Sequence, residues 1–405
     1  MSKIFRKLAA VVMASAGRAP RTRNAPHRYF CKHGGSAMKK ICIITLLSVL
    51  LLMTGCANSA SDSGVSSSEN SSQVHITNEY SSFTGVTLSE KDINEYSTLN
   101  NKPHTPQLFC SNGDIIYFSN PDDGLALYSY DGKEAKRLSD IAAFSLNYYN
   151  GSVYFLFPGN IGALDTWILP ETARSGSLYR YDIESGTVTN LSDTLMNNLF
   201  VDENGIFYTN IEESGVTAVY RFDPQSGESE RLYRGFGVQN IGDYVLSNEE
   251  NNDDGLDILL VNGEEKVRIL SNVVPFYDCI HKGIYYYRDN NTGLSFHSLD
   301  LVSGELNDLE SGSDYTIFGD KILLIKNGKL HFSAEGGAEP LAVEPLMAGD
   351  PSMPIYYNPY FEYLYTANGK VYAVVWYDRD CYSFARVDIS PDAETASVTL
   401  IRIEI

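Results

Sequence analysis

Positive charge is scarce in this sequence. Lys and Arg number 31 against 51 Asp and Glu, a formal net charge of −20 over 405 residues. Phosphate neutralisation needs clustered cations, so the balance argues against a nucleic-acid partner, and equally against docking on anionic lipid through a basic patch. Cysteine is scarce too, with 6 in the chain, which excludes a disulfide framework as the source of stability. Catalytic and metal motifs are missing: there is no Cys-x-x-Cys, His-Glu-x-x-His, Gly-x-Ser-x-Gly elbow, Gly-Lys-Ser/Thr phosphate loop or sialidase Asp-box. Beyond residue 56, His75, His104, His281, His297 and His331 are scattered, with no two at metal-ligand spacing. No metal and no cofactor is expected. Ala-rich helical stretches end by about residue 60; what fills the rest is 28 Tyr, 18 Phe and 32 Gly in a chain 43% hydrophobic. That composition buries a sizeable core and suits β-structure with tight turns.

The first 56 residues carry ten basic residues and no acid, so the remainder holds 21 cations against 51 acids. Met38-Lys39-Lys40 precedes an apolar run from Ile41 to Met53, the layout of a secretory signal. The run is too short to span a bilayer, which takes about 20 apolar residues. Its end, Met53-Thr54-Gly55-Cys56, resembles the lipobox of bacterial lipoproteins, in which the Cys is lipidated and becomes the new N-terminus; Met stands where Leu is usual. An ordinary cleaved signal with an incidental Cys is the other reading, and an Arg-rich transit peptide a third. The expected organisation is an upstream mis-start or leader over 1–37, a lipoprotein signal over 38–55, and lipidated Cys56 with a Ser-rich tether over 56–75. An extension over 76–107 packs on the domain edge, and the folded domain spans 108–405. The chain is expected outside the cytoplasm, anchored through Cys56 to the outer face of a bacterial cell membrane. Eight of the 17 residues Ala57–Gln73 are Ser, a flexible tether spanning roughly 20–25 Å. Ser89-Glu90-Lys91-Asp92 is a helix-starting N-cap pattern.

From residue 108 the chain repeats. Asn112-Gly113-Asp114-Ile115-Ile116-Tyr117-Phe118 is a turn followed by an apolar strand. It recurs at Asn150–Phe155, Asn204–Tyr208, Gly242–Leu246, Lys282–Tyr286, Gly319–Leu323 and Asn368–Tyr372, a mean period of about 43 residues. Asn-Gly between apolar runs is a strong hairpin signal, because a type I′ turn needs positive φ twice. Downstream in each unit comes an alternating strand ending in an Asp-to-Gly turn, as in Tyr179-Arg180-Tyr181-Asp182-Ile183-Glu184-Ser185-Gly186. Four antiparallel strands per 40-to-45-residue unit is the arithmetic of a propeller blade. The expected fold is an all-β, seven-bladed β-propeller of four-stranded antiparallel blades; six or eight blades also fit, since the fourth and sixth copies are weak.

The run Asn112–Tyr128 resembles the repeat of an uncharacterised β-propeller family of Gram-positive surface lipoproteins, similar to YWTD propellers of LDL-receptor type and to TolB-type propellers. The resemblance covers most of residues 108–400, and its motifs are turn and strand signals, so it implies fold alone. The Asp-x-x-Ser-Gly elements are also similar to quinoprotein repeats, but no docking Trp follows the Gly, and no quinone is implied.

Function is sought in the departures from the repeat. Pro158–Gly176 is an insertion carrying Asp165, Trp167, Glu171 and Arg174; Glu344–Tyr360 is a long connection carrying Met347, Met353, Tyr356, Tyr357 and Tyr360. Both should emerge at one end of the blades, and insertions on one face often mark a binding side. Asp165, Trp167, Glu171, Arg174, Tyr356, Tyr357 and Tyr360 are the candidate ligand face, since exposed aromatics stack on sugars or peptides; a hydrophobic flap is the equal alternative. Acidic turns at 122–124, 249–255 and 289–293 lack the spaced calcium-loop pattern and read as polar turn chemistry. Cys110 and Cys381 fall in the first and last units, as a disulfide or as two buried thiols. The expected function is a cell-surface binding or scaffold lipoprotein for a glycan or protein partner, without catalysis. The alternatives are a propeller glycosidase or polysaccharide lyase, and an envelope assembly factor making protein contacts only.

Overall fold

Strands dominate the computed structural model, which describes residues 83–102, 105–158, 175–251, 255–273, 275–289, 295–333, 339–348, 355–378 and 381–401. The leader, the signal, Cys56 and the tether lie outside the described residues. The α-helix α1 (Glu90–Glu95) follows the N-cap expected at Ser89, whose side chain accepts the Asp92 N–H. Among the described residues no helix is long and apolar enough to cross a membrane.

The strands form antiparallel sheets in chain order. The first holds β1 (Phe109–Ser111), β2 (Ile116–Asn120), β3 (Ala126–Tyr130) and β4 (Ala135–Ala142). A seven-stranded sheet follows: β5 (Phe144–Tyr149), β6 (Ser152–Phe157), β7 (Gly176–Asp182), β8 (Thr187–Asp202), β9 (Gly205–Ile211), β10 (Thr217–Phe222) and β11 (Ser229–Arg234). Three four-stranded sheets come next. They are β12 (Asn240–Ile241), β13 (Tyr244–Glu250), β14 (Leu256–Asn262), β15 (Glu265–Val273); β16 (Pro275–His281), β17 (Ile284–Asp289), β18 (Ser295–Asp300), β19 (Leu306–Ser311); and β20 (Asp314–Phe318), β21 (Lys321–Lys326), β22 (Lys329–Phe332), β23 (Glu339–Pro340). Then β24 (Ala342–Val343) pairs in parallel with β30 (Thr395–Leu400), the outer strand of a sheet completed by β27 (Tyr360–Ala367), β28 (Lys370–Asp378) and β29 (Cys381–Ile389). β25 (Leu346–Ala348) and β26 (Ile355–Tyr357) make a separate hairpin.

Burial explains the sequence pattern within a sheet. β2 is buried throughout and reads as an apolar run, Ile116-Tyr117-Phe118; β4, last in the same sheet, is only partly buried and exposes Lys136, Arg137 and Asp140. Each of the repeated turn-and-strand signals falls on the hairpin between the first and second strands of a four-strand unit. Their turn geometry is mixed. Asn150-Gly151 and Asn368-Gly369 take positive φ twice, as does Lys282-Gly283, whereas at residues 112–113 and 204–205 only the Gly does. The Asp turns are built as expected: Asp182 accepts the Ser185 N–H at 2.8 Å, Asp223 that of Gln225 at 2.9 Å, and Asp300 that of Val302 at 2.8 Å. Each of these carboxylates serves its own turn. In the acidic turns, Asp123 pairs with Arg137, Glu249 with Lys266 and Glu250 with Arg234.

Residues 96–102 and 105–107 reach the first strands of the sheets. Ser97 bridges His281 of β16, and Thr98 Oγ1 donates to Gln239 Oε1 at 2.6 Å, just before β12. Asn100 bonds Thr366 of β27 twice, accepting its N–H and donating to its carbonyl. Asn101 donates to Asn147 of β5. Lys102 Nζ reaches Asp314 Oδ1 of β20 at 2.5 Å, both side chains only 1% exposed. The carbonyls of Pro106 and Gln107 then accept from Ser145 and Leu146 of β5. The buried polar side chains named here have partners, while Gln107 Oε1 is buried without one among the described residues.

His281 gives the arm a pH dependence. Burial, with Lys282 nearby, pushes its pKa down to about 4 from 6.5. The fold therefore favours the neutral ring, and its contribution is intact above pH 6.5 and is lost as pH falls toward 4. His281→Asn removes that term. Urea unfolding of both proteins between pH 7 and 4 should show the variant gaining on the wild type as acidity rises; a constant difference would refute the assignment.

Candidate functional site

The end of the last sheet carries an aromatic ladder. Tyr360, at the start of β27, lies opposite Trp376 of β28, and Trp376 lies opposite Tyr382 of β29. Directly opposed residues share a sheet face, so the rings form a row. Tyr360 and Trp376 meet edge-on with centroids 5.7 Å apart, and Trp376 stacks on Tyr382 at 6.1 Å and 11°. Tyr360 is 42% and Trp376 36% exposed, unusual for large rings in a well-packed sheet.

The row is held from the neighbouring sheet. Gly328, in the β21–β22 turn with φ +71°, lies against the Tyr360 ring; a Cβ there would come within 2.1 Å of it. The Phe361 N–H donates to the Gly328 carbonyl at 2.9 Å. Only glycine allows both the backbone conformation and this approach. Beside the row a groove of about 390 Å³ is lined by Lys329, Pro340, Leu341, Ala342, Val343, Asn358, Pro359 and Phe361. Glu362 occupies a register shift in β27, and burial raises its carboxyl pKa.

Other exposed apolar residues mark the same end of their strands. Ile211 closes β9 before a second-to-third-strand turn, and Leu195 stands where β8 passes from one four-strand unit to the next; they are 65% and 55% exposed. Residues 83–96 run at the opposite end. Asp92 abuts Gly242, Ile93 abuts Gly283, and the Phe83 carbonyl abuts Gly304, all in first-to-second or third-to-fourth-strand turns.

Of the residues expected at the ligand face, Tyr360 is exposed in the ladder and Tyr357 is half-buried, paired with Leu346 across the β25–β26 hairpin. The Tyr356 side chain, and Asp165, Trp167, Glu171 and Arg174, lie outside the described residues. Trp376 and Tyr382 were not among the expected residues; the clue to them is an aromatic at matching places in three successive strands of the last unit. Cys110 is a free, buried thiol, and the Cys381 side chain lies outside the described residues. Among the described residues no three His, Cys, Asp or Glu gather in a group suited to a metal ion.

No protein-family model and no curated protein matches the chain, so the resemblance to Gram-positive lipoprotein repeats rests on its motifs. Solved structures similar to it are β-propeller proteins. A puromycin-hydrolyzing peptidase of Mycobacterium tuberculosis is 12% identical with a TM-score of 0.46, over 80% of this chain and 56% of its own. This chain thus spans little more than half the length of that peptidase. The β-propeller domain of the Trilobed protease from Pyrococcus furiosus is 9% identical at TM-score 0.41, over 73% and 94%. TolB from Acinetobacter baumannii is 14% identical at 0.38, over 56% and 66%. Peptidases stand among these structures, which corrects the expectation that the chain is not an enzyme: this fold is no ground for excluding catalysis, and that expectation does not stand.

Proposed function

We propose that the chain is a seven-bladed β-propeller, held outside a bacterial cell membrane through Cys56, and that the blade end bearing Tyr360, Trp376 and Tyr382 is a binding platform for a glycan or a protein partner. Seven blades follow if the seven-stranded sheet is two blades sharing the long β8, which runs 16 residues. Closure is supported by the first sheet packing on the last, with Phe118 stacked on Phe384 at 4.6 Å. The observation that carries the binding reading is the ladder: aligned rings fixed by register and by Gly328, with Tyr360 and Trp376 exposed at the end where Leu195 and Ile211 are also exposed. Such rings offer large contact area at little entropic cost.

The test is isothermal titration of the protein against cell-wall glycans and dietary polysaccharides, with reducing-end or unsaturated-product release followed in the same samples. A glycan that binds should lose about 30-fold in affinity with Trp376→Ala, the scale of a buried aromatic anchor of about 2 kcal/mol. Binding that is indifferent to Trp376→Ala and Tyr360→Ala sinks the site. Product release would make the platform a substrate site.

A further inference from the structure

Between the sheet of β12–β15 and that of β16–β19 lies a cavity of about 10 Å³, room for one water or one small ion. Its polar lining is Gln239, Ser247, Asn248, Asp278 and Tyr285. Asp278 is 3% exposed. Its Oδ2 accepts the Tyr285 O–H at 3.3 Å, and its backbone carbonyl accepts from Gln239 Nε2 at 3.1 Å. Its Oδ1 is buried with no hydrogen-bond partner. Among the described residues no Lys or Arg lines the cavity. Burial raises the Asp278 pKa to about 6, and no cationic side chain among the described lining residues pairs with the carboxyl group. A buried unpaired carboxylate is too costly to leave bare. One alkali cation matches it charge for charge, whereas a divalent ion would leave a net buried positive charge, and such ions take oxygen donors of the kind this lining offers.

We propose that this cavity binds a single alkali cation, Na⁺ or K⁺, through Asp278 Oδ1, tying β13 to β16 and β17 across the boundary between two sheets. The ion neutralises the Asp278 carboxylate, and its removal loosens the boundary.

The test is thermal unfolding of the full chain in choline chloride, with NaCl, KCl, MgCl₂ or CaCl₂ exchanged in at constant ionic strength and pH 7.5. NaCl or KCl should raise the transition saturably, the folding equilibrium gaining about a hundredfold at a hundredfold excess over the dissociation constant. Asp278→Asn, which keeps shape and removes charge, should abolish the dependence. Equal shifts in Asp278→Asn, a shift with CaCl₂ alone, or no shift with either alkali ion would each overturn the proposal. Should Asp278→Asn not fold, ²³Na relaxation of the wild type decides: line broadening reversed by excess K⁺ supports the site, and none overturns it.

Discussion

Lys102→Met should lower the unfolding free energy by about 3–5 kcal/mol, the range for removing one partner of a buried ion pair. Lys102 Nζ donates to Asp314 Oδ1 and to the Tyr315 carbonyl, and sits 4.6 Å over the Tyr315 ring. Asp314 Oδ2 accepts the Leu364 N–H at 2.8 Å, so one carboxylate joins the arm, β20 and β27. Methionine keeps most of the stem's volume and leaves the buried Asp314 without its ion-pair partner. The loss is therefore desolvation unrepaid, and Lys102→Met/Asp314→Asn should recover much of it. Urea unfolding of the three proteins measures this. A Lys102→Met midpoint unchanged from wild type would show that the arm is not anchored by this pair.

The arm also shows where sequence reading stops. The repeat was legible because hairpins are local: Asn150-Gly151 and Asn368-Gly369 adopt the left-handed turns their residues favour, and the Asp182, Asp223 and Asp300 turns close on residues two or three positions on. Asn100 and Lys102, by contrast, look like surface polar residues. Their burial depends on Thr366 and Asp314, 266 and 212 positions away, and no periodicity encodes such a pairing. The ladder was half legible for a related reason. Tyr360 stood out in an irregular connection, while Trp376 and Tyr382 sit in regular strands, where only the register reveals that they flank one another. The Asp278 cavity has no sequence signal at all, since an isolated Asp in a strand reads as solvent-facing.

Phe384→Ala should cost about 3–5 kcal/mol, as for a fully buried ring, and its effect should be confined to one seam. The strands of the first sheet all come from residues 109–142 and those of the last from residues 342–400, so no strand is shared between them. Side chains do the joining: Phe384 lies 4.6 Å from Phe118, 5.9 Å from Phe109 and 6.1 Å from both Tyr365 and Tyr372. The Tyr365 hydroxyl accepts the Leu108 N–H, and Asn368 Nδ2 donates to the Gly113 carbonyl. Removing the central ring takes contacts from both sides at once, and the remaining polar links are few. Hydrogen exchange should therefore lose protection first in β1–β4 and β27–β30, while Phe155→Ala, an equally buried ring in the second sheet, should loosen β5–β8 instead. Uniform loss of protection in both variants would mean that the molecule unfolds as one unit and that the seam has no separate weakness. Selective loss would identify this seam as the point at which the proposed ring opens.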